Sequence, residues 1–213
     1  MGRVSAHVLW LCAVLAMVAC FGVGAQAGRT QAGRTLLQST CANPALPDVN
    51  LTAYAGVWYQ IGATAVQKSF TETDAVCISG RYSLITSGPN NNAIRIRLDS
   101  YNTSSGDYSA LIGLLNVNGR SFNLQFPGLP ASDYRIIYLK GDPIKDRYKT
   151  AMTYSCTTGS TQAINILSRK PTLDGDTIAE LVAYAQSLGI TLEANNQIVL
   201  TPQDAITCGR NDD

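Results

Sequence analysis

Apolar and polar residues alternate along much of this chain. Ala93-Ile94-Arg95-Ile96-Arg97-Leu98-Asp99 alternates without a break, and Phe122-Asn123-Leu124-Gln125-Phe126 does so again. Successive side chains on a strand point to opposite faces, so each segment has one buried and one wetted face. Val57 to Ala63, Val76 to Thr86, Tyr108 to Val117, Tyr134 to Leu139, Thr150 to Cys156 and Gln162 to Ser168 are rich in β-branched and aromatic residues and read as strands too. Turn chemistry lies between them at Gly88-Pro89-Asn90-Asn91-Asn92, Asn102 to Gly106, Asn118-Gly119 and Pro127-Gly128-Leu129-Pro130. Eight strands at hairpin spacing predict an all-β, up-and-down antiparallel β-barrel, because closure removes the exposed sheet edges. A barrel of about eight strands is either filled by its side chains or holds one small ligand.

The period changes once. Ile178, Leu181, Val182, Ala185 and Leu188 fall on one face at spacings of three and four, which predicts one C-terminal α-helix packed outside the barrel. Asp174 and Asp176 suit its amino terminus, where carboxylates meet unpaired N–H groups, and Gly189 suits a left-handed cap. The polar face carries no Lys or Arg, which disfavours a membrane-surface helix. Gln197 to Leu200 reads as a last short strand, and residues 48–213 form a single barrel domain with its helix and tail.

The amino-terminal residues have a different character. Arg3 precedes an uncharged apolar run from Val8 to Gly24, and Ala25-Gln26-Ala27 is a small-x-small cleavage site. Residues 1–27 therefore read as a signal peptide of an exported protein. The run is near the short limit for a membrane span. Two other destinations share some of these features. Met17-Val18-Ala19-Cys20 is a degenerate lipoprotein box, which would anchor the chain through Cys20. The absence of acids before Asp48 is shared with a transit peptide to the chloroplast lumen. The apolar core favours plain secretion over both. Residues 28–47 read as a flexible N-terminal tail.

Charge and residue counts narrow the chemistry. The 16 Lys and Arg less Arg3 leave 15 cations against 15 acids in the exported chain. A neutral chain without a basic cluster has no long-range attraction to nucleic acid. The single histidine is His7, within the signal, so the mature protein lacks a Ser-His-Asp site, a Cys-His site and any His-ligated metal. Neither a cofactor nor a metal is expected, and nothing in the spacing of Glu72, Asp99, Asp107 and Glu180 supports an acid/base pair. Cys41, Cys77, Cys156 and Cys208 remain after cleavage. Four cysteines in an exported chain imply two disulfides with three possible pairings. Asn50-Leu51-Thr52 and Asn102-Thr103-Ser104 are sequons, making Asn50 and Asn102 candidate glycosylation sites.

Gly56-Val57-Trp58 at the start of the first strand resembles the Gly-x-Trp signature of the lipocalins. Cys77-Ile78, Tyr82-Ser83-Leu84, Tyr154-Ser155-Cys156, Ile166-Leu167-Ser168-Arg169-Lys170-Pro171 and Thr207-Cys208 follow in the order found in the group around apolipoprotein D, with bacterial and plant temperature-induced or chloroplast lipocalins. The resemblance covers residues 41–208. It departs at Gly141 to Arg147, which is longer than the family's Thr-Asp-Tyr turn; Asp146 keeps the register but no Thr precedes it. The resemblance implies the pairings Cys41–Cys156 and Cys77–Cys208. It also implies a structural plug of Gly56, Trp58 and Arg169 at the closed end.

The resemblance further implies a small hydrophobic ligand such as a fatty acid, lysolipid, sterol or pigment as partner, and a role in lipid protection under stress. Candidate ligand contacts are Ile94, Ile96 and Leu98 on one strand face, and Phe122, Leu124 and Phe126 on another. Tyr82, Tyr138 and Tyr154 are candidate phenolic donors. An apolar lining with a few polar tips is what a lipophile needs. The protein is expected not to be an enzyme, to be a monomer or weak homodimer, and to make at most a peripheral membrane contact. The competing readings are a lipid-modifying enzyme on the same fold and a scaffold that binds a protein partner.

Overall fold

A computed structural model describes residues 41–88, 93–144, 146–157, 161–192 and 196–209. The signal expected over 1–27, and the tail as far as residue 40, lie outside the described residues. From Cys41 to Pro47 the chain is tied to the barrel. The Arg135 guanidinium donates to the carbonyl of Ala42 at 3.1 Å, and Cys41 is bonded to Cys156.

Eight antiparallel strands run up and down in sequence order. They are β1 (Gly56–Thr64), β2 (Ala75–Leu84), β3 (Ile94–Asn102), β4 (Asp107–Asn118), β5 (Ser121–Gln125), β6 (Ser132–Gly141), β7 (Tyr148–Thr157) and β8 (Thr161–Ser168). β1 pairs with β8 on one edge and with β2 on the other, which closes the barrel. The register across Asn118-Gly119 is that of a tight hairpin, with Asn118 opposite Ser121, as the turn chemistry requires.

The short strand β9 (Ile198–Leu200) is the ninth in the sheet and pairs with Gly62, Ala63 and Thr64 of β1. This pairing lies beyond the point where β2 leaves β1, at Tyr59 opposite Ser79. The register of β2 against β3 shifts between Val76 and Ser79, and Cys77 inside that bulge has φ +57°. The Cys77 amide donates to the Pro202 carbonyl at 2.9 Å, and its sulfur is bonded to Cys208. A bulge bends a strand, and here it coincides with the departure of β2 from β1 and the entry of the carboxyl-terminal segment.

Three helices complete the described chain. α1 (Leu51–Tyr54) precedes β1. α2 (Ala65–Thr71) follows β1 at the opposite end of the barrel. α3 (Gly175–Ser187) is the helix the periodicity predicts. Its N-cap Asp174 accepts from the Thr177 amide at 2.7 Å. Leu181 and Ala185 are buried against Ile137, Met152, Tyr154, Ile164 and Ile166 of the barrel wall, with Ile178, Val182 and Leu188 beside them. No helix among the described residues is long and apolar enough to cross a membrane.

Candidate ligand-binding site

Paired residues of an antiparallel ladder share a face, so the registers assign the lumen. Trp58 pairs with Gly80, Gly80 with Leu98, Tyr82 with Ile96 and Leu84 with Ile94. Ile94, Ile96 and Leu98 in turn face Leu115, Gly113 and Leu111 on β4. Leu115 is opposite Leu124, Val117 opposite Phe122, and Phe122 opposite Tyr134. One apolar cluster holds Trp58, Tyr82, Ile94, Ile96, Leu115, Phe122, Tyr134 and Ile136, with Leu84, Leu98, Leu124 and Phe126 packed against it.

The closed end is plugged. The Arg169 Cζ atom lies 3.8 Å from the Trp58 ring centroid. Its Nη1 donates to the Val57 carbonyl at 2.6 Å, and its Nη2 donates to the carbonyls of Ala53, Tyr54 and Ala55 at 3.1, 2.9 and 2.8 Å. Its Nε donates to the Tyr148 carbonyl at 3.1 Å. Trp58 Nε1 donates to the Tyr54 carbonyl at 2.8 Å. One side chain therefore collects the carbonyls that α1 and the start of β1 leave without strand or helix partners. Burial, reinforced by neighbouring Arg147, lowers the Arg169 pKa to about 10. Gly56 sits at φ +106°, and a Cβ there would stand 3.0 Å from Arg147 and 3.2 Å from Arg169. Both the backbone angle and the two guanidinium groups thus demand glycine. A cavity of about 390 Å³ lies on the outer side of this plug, lined by Arg147, Lys149, Arg169 and Lys170 among others. It belongs to the exterior of the closed end, not to the lumen.

Above the plug, three phenols meet. Tyr134 Oη lies 3.0 Å from Tyr54 Oη and 3.1 Å from Tyr82 Oη. Burial holds all three pKa values well above the ordinary 10.0, so they stay neutral hydroxyls. They form a polar floor beneath the apolar lining that β2 to β5 supply.

Towards the mouth, burial loosens. Leu98, Leu124 and Phe126 are only partly buried, and Leu111 retains 48% of its exposure although it faces inward. A Cβ on Gly113 would stand 2.7 Å from the Phe126 ring, which places that ring against the bare backbone of β4. Across the lumen the lining turns polar. Gln60 Nε2 donates to Glu72 Oε1 at 2.9 Å and to Asn165 Oδ1 at 3.0 Å. Lys68 of α2 donates to Gln60 Oε1 at 2.8 Å and to Thr201 Oγ1 at 2.6 Å, and lies 3.2 Å from Glu72 Oε2. Burial lowers the Lys68 pKa, and Glu72 partly restores it. The network ties α2, β1, β8 and the segment after β9 together at the open end.

The candidate contacts divide accordingly. Tyr82, Ile94, Ile96 and Phe122 lie in the deep apolar cluster. Leu98, Leu124 and Phe126 lie beside it with partial exposure. Tyr138 and Tyr154 do not face the lumen. Tyr154 is opposite Arg135 and Ile164, in the cluster against α3, and its hydroxyl donates to Gln162 Oε1 at 2.9 Å. Tyr138 packs edge-on against Tyr184 of α3 with ring centroids 5.3 Å apart. The physical reason is a register shift between Ile136 and Tyr138. It turns Tyr138 outward although Tyr134, four residues earlier, points in.

The sequence reading missed Tyr134, Leu111, Gly113 and Leu115 as lining residues. Their signal lies across the hairpin: once Asn118 is set opposite Ser121, Leu115 falls opposite Leu124. The second sequon residue is engaged in structure. Asn102 Oδ1 accepts from the Ser104 and Ser105 amides at 2.9 and 3.0 Å. Among the described residues no group of three His, Cys, Asp or Glu side chains is placed to hold a metal ion.

Residues 49–199 match the family model described as a lipocalin-like domain. No curated protein sequence matches the chain. Among solved structures, apocrustacyanin C2 is 20% identical with a TM-score of 0.58, over 74% of this chain and 81% of that one. Lobster apocrustacyanin A1 is 21% identical with a TM-score of 0.56, over 73% and 80%. The cockroach major allergen Per a 4 is 18% identical with a TM-score of 0.56, over 78% and 96%. Likeness at this level of identity concerns the fold.

Proposed function

Since the chain belongs to the lipocalin family, we propose that it is an exported carrier of one small hydrophobic molecule, held inside the barrel. The observation that carries this reading is the graded burial of the lumen. Its floor is a closed plug, whereas inward-facing Leu111 near the mouth keeps 48% of its exposure. An apolar wall that water reaches is an unfavourable surface, and a lipophile covering it gains about 25 cal/mol per Å² of apolar area. Export supports and is supported by the cysteines: both pairs are disulfides, which persist in oxidising compartments. Cleavage after Ala27, modification of Asn50 and Asn102, and a role in lipid protection belong to the same reading.

The test is native mass spectrometry of protein isolated from its source, with extraction of the bound lipid. A recurrent adduct of lipid mass is expected. A protein that is always empty, and whose Trp58 and tyrosine fluorescence ignores a panel of fatty acids, sterols and carotenoids, would overturn carriage. Sequencing the amino terminus of the isolated chain tests export, with Gly28 expected first.

A further inference from the structure

We propose that the cup selects uncharged lipophiles and rejects anionic ones such as free fatty acids. This rests on the carrier reading and narrows it. The argument is a charge inventory of the lumen. The inward positions fixed by the ladders carry no charged side chain below the rim, because the arginines of the wall all face out. Arg81 is opposite Arg97, Arg95 is opposite Leu114, and Arg135 is opposite Tyr154. At the floor Arg169 lies against the Trp58 ring, with Arg147 beside it at the outer cavity, and the Arg169 Nε, Nη1 and Nη2 all donate to main-chain carbonyls.

The rim leads to the same result. The open-end segments 103–106 and 126–131 contain no charged residue, as their sequences Thr-Ser-Ser-Gly and Phe-Pro-Gly-Leu-Pro-Ala state. Among the described residues, charge at the mouth comes from the segment between β1 and β2, from the start of β4, and from the start of β6, where Asp133 is paired with Arg135. In the first two segments Lys68 is the only described cation, against Glu72, Asp74 and Asp107. Its ammonium is already used by Gln60, Thr201 and Glu72. A carboxylate entering the cup would lose its hydration where the described lining offers no unpaired cation, and the described charges of these rim segments are net negative. An isolated buried charge is strongly disfavoured. A hydroxyl, ketone or ester meets no such penalty, since the phenols of Tyr54, Tyr82 and Tyr134 at the floor are neutral partners.

The experiment compares decanol, methyl decanoate and decanoate on the same purified protein by competition against a bound neutral fluorescent lipophile. Near pH 7.5 the alcohol and ester are expected to bind about tenfold or more tightly than the carboxylate. Near pH 4, where the acid is largely protonated, the gap is expected to close. Glu72→Gln leaves Lys68 without its counter-ion, so this variant is expected to gain decanoate affinity relative to decanol. Decanoate binding as tightly as decanol near pH 7.5, or gaining nothing from Glu72→Gln, would overturn the selection while leaving carriage intact. A protein that binds the neutral probe and none of the competitors overturns it too, whereas failure to bind any lipophile overturns carriage itself.

Discussion

The Arg169 guanidinium lies 3.8 Å from the centroid of the Trp58 indole, and the same group gathers five main-chain carbonyls from α1, β1 and the start of β7. The contact links the two ends of the chain's strand order, since Trp58 is on the first strand and Arg169 directly follows the eighth. Removing the fork leaves half-buried carbonyls without donors. Arg169→Ala is expected to destabilise by about 3 kcal/mol. Arg169→Lys is expected to recover only part of this, because an ammonium cannot span the fan of acceptors. Urea midpoints of the two variants check both statements; equal midpoints for Lys and the native Arg would contradict them.

Gly56 makes the companion prediction. Gly56→Ala places a Cβ about 3 Å from two guanidinium groups at a left-handed φ. A loss of ~1–3 kcal/mol is expected from backbone strain alone, measured by the same unfolding curves. An unchanged midpoint would mean that the loop before β1 relaxes freely.

Each disulfide closes a long loop, with sequence separations of 115 and 131 residues. The chain-entropy model gives ~4–5 kcal/mol for a loop of that size. Replacing the pair Cys41 and Cys156, or the pair Cys77 and Cys208, by serine is expected to lower stability by about that amount. The second pair is expected also to increase hydrogen exchange in β9, because it holds the segment that runs beside β1. Unfolding monitored by hydrogen exchange separates the two effects.

Much of this architecture is legible in the sequence. The uninterrupted alternation of Ala93 to Asp99 and Phe122 to Phe126 specifies both strand and face, and the stripe from Ile178 to Leu188 specifies the helix and its buried side. What escapes is decided by irregularities of a single residue. The shift between Ile136 and Tyr138 inverts a face with no signal in the neighbouring apolar run Ile136-Ile137. α2 carries no helical stripe, and its N-cap Thr64 makes no side-chain capping bond; it is held by Lys68 bonding to residues far away in sequence. Gln197 to Leu200 reads as a strand, but its place beside β1 depends on the bulge at Cys77, which only the tertiary structure shows.

The buried phenols predict an alkaline transition. Burial raises the pKa of Tyr54, Tyr82 and Tyr134 well above the value of 10.0 that the unfolded chain would show. A raised folded pKa means the folded state holds its protons longer, so the stabilisation is complete below about pH 10 and is lost as pH rises further. Of the ten tyrosines, these three are expected to give phenolate absorbance only in the same step in which circular dichroism reports loss of the barrel. Phenolate formation by all ten near pH 10 with the dichroism intact would contradict the burial of this group.

Leu111 offers the sharpest test of where the ligand sits. It faces the lumen opposite Leu98, yet nearly half of it meets solvent. Leu111→Trp adds a bulky ring at the mouth without displacing the deep cluster around Ile94 and Ile96. Stability is expected to change by less than ~0.5 kcal/mol, as for most substitutions at half-exposed positions. Lipophile affinity is expected to fall about tenfold, since the ring occupies the volume through which the ligand must pass. Tyr138→Phe and Tyr154→Phe serve as the contrast. Their hydroxyls lie on the outer wall, the latter bonded to Gln162, so both variants are expected to bind the lipophile as the native protein does. An affinity that ignores Leu111→Trp but falls with Tyr154→Phe would move the site out of the barrel and onto the groove between its wall and α3.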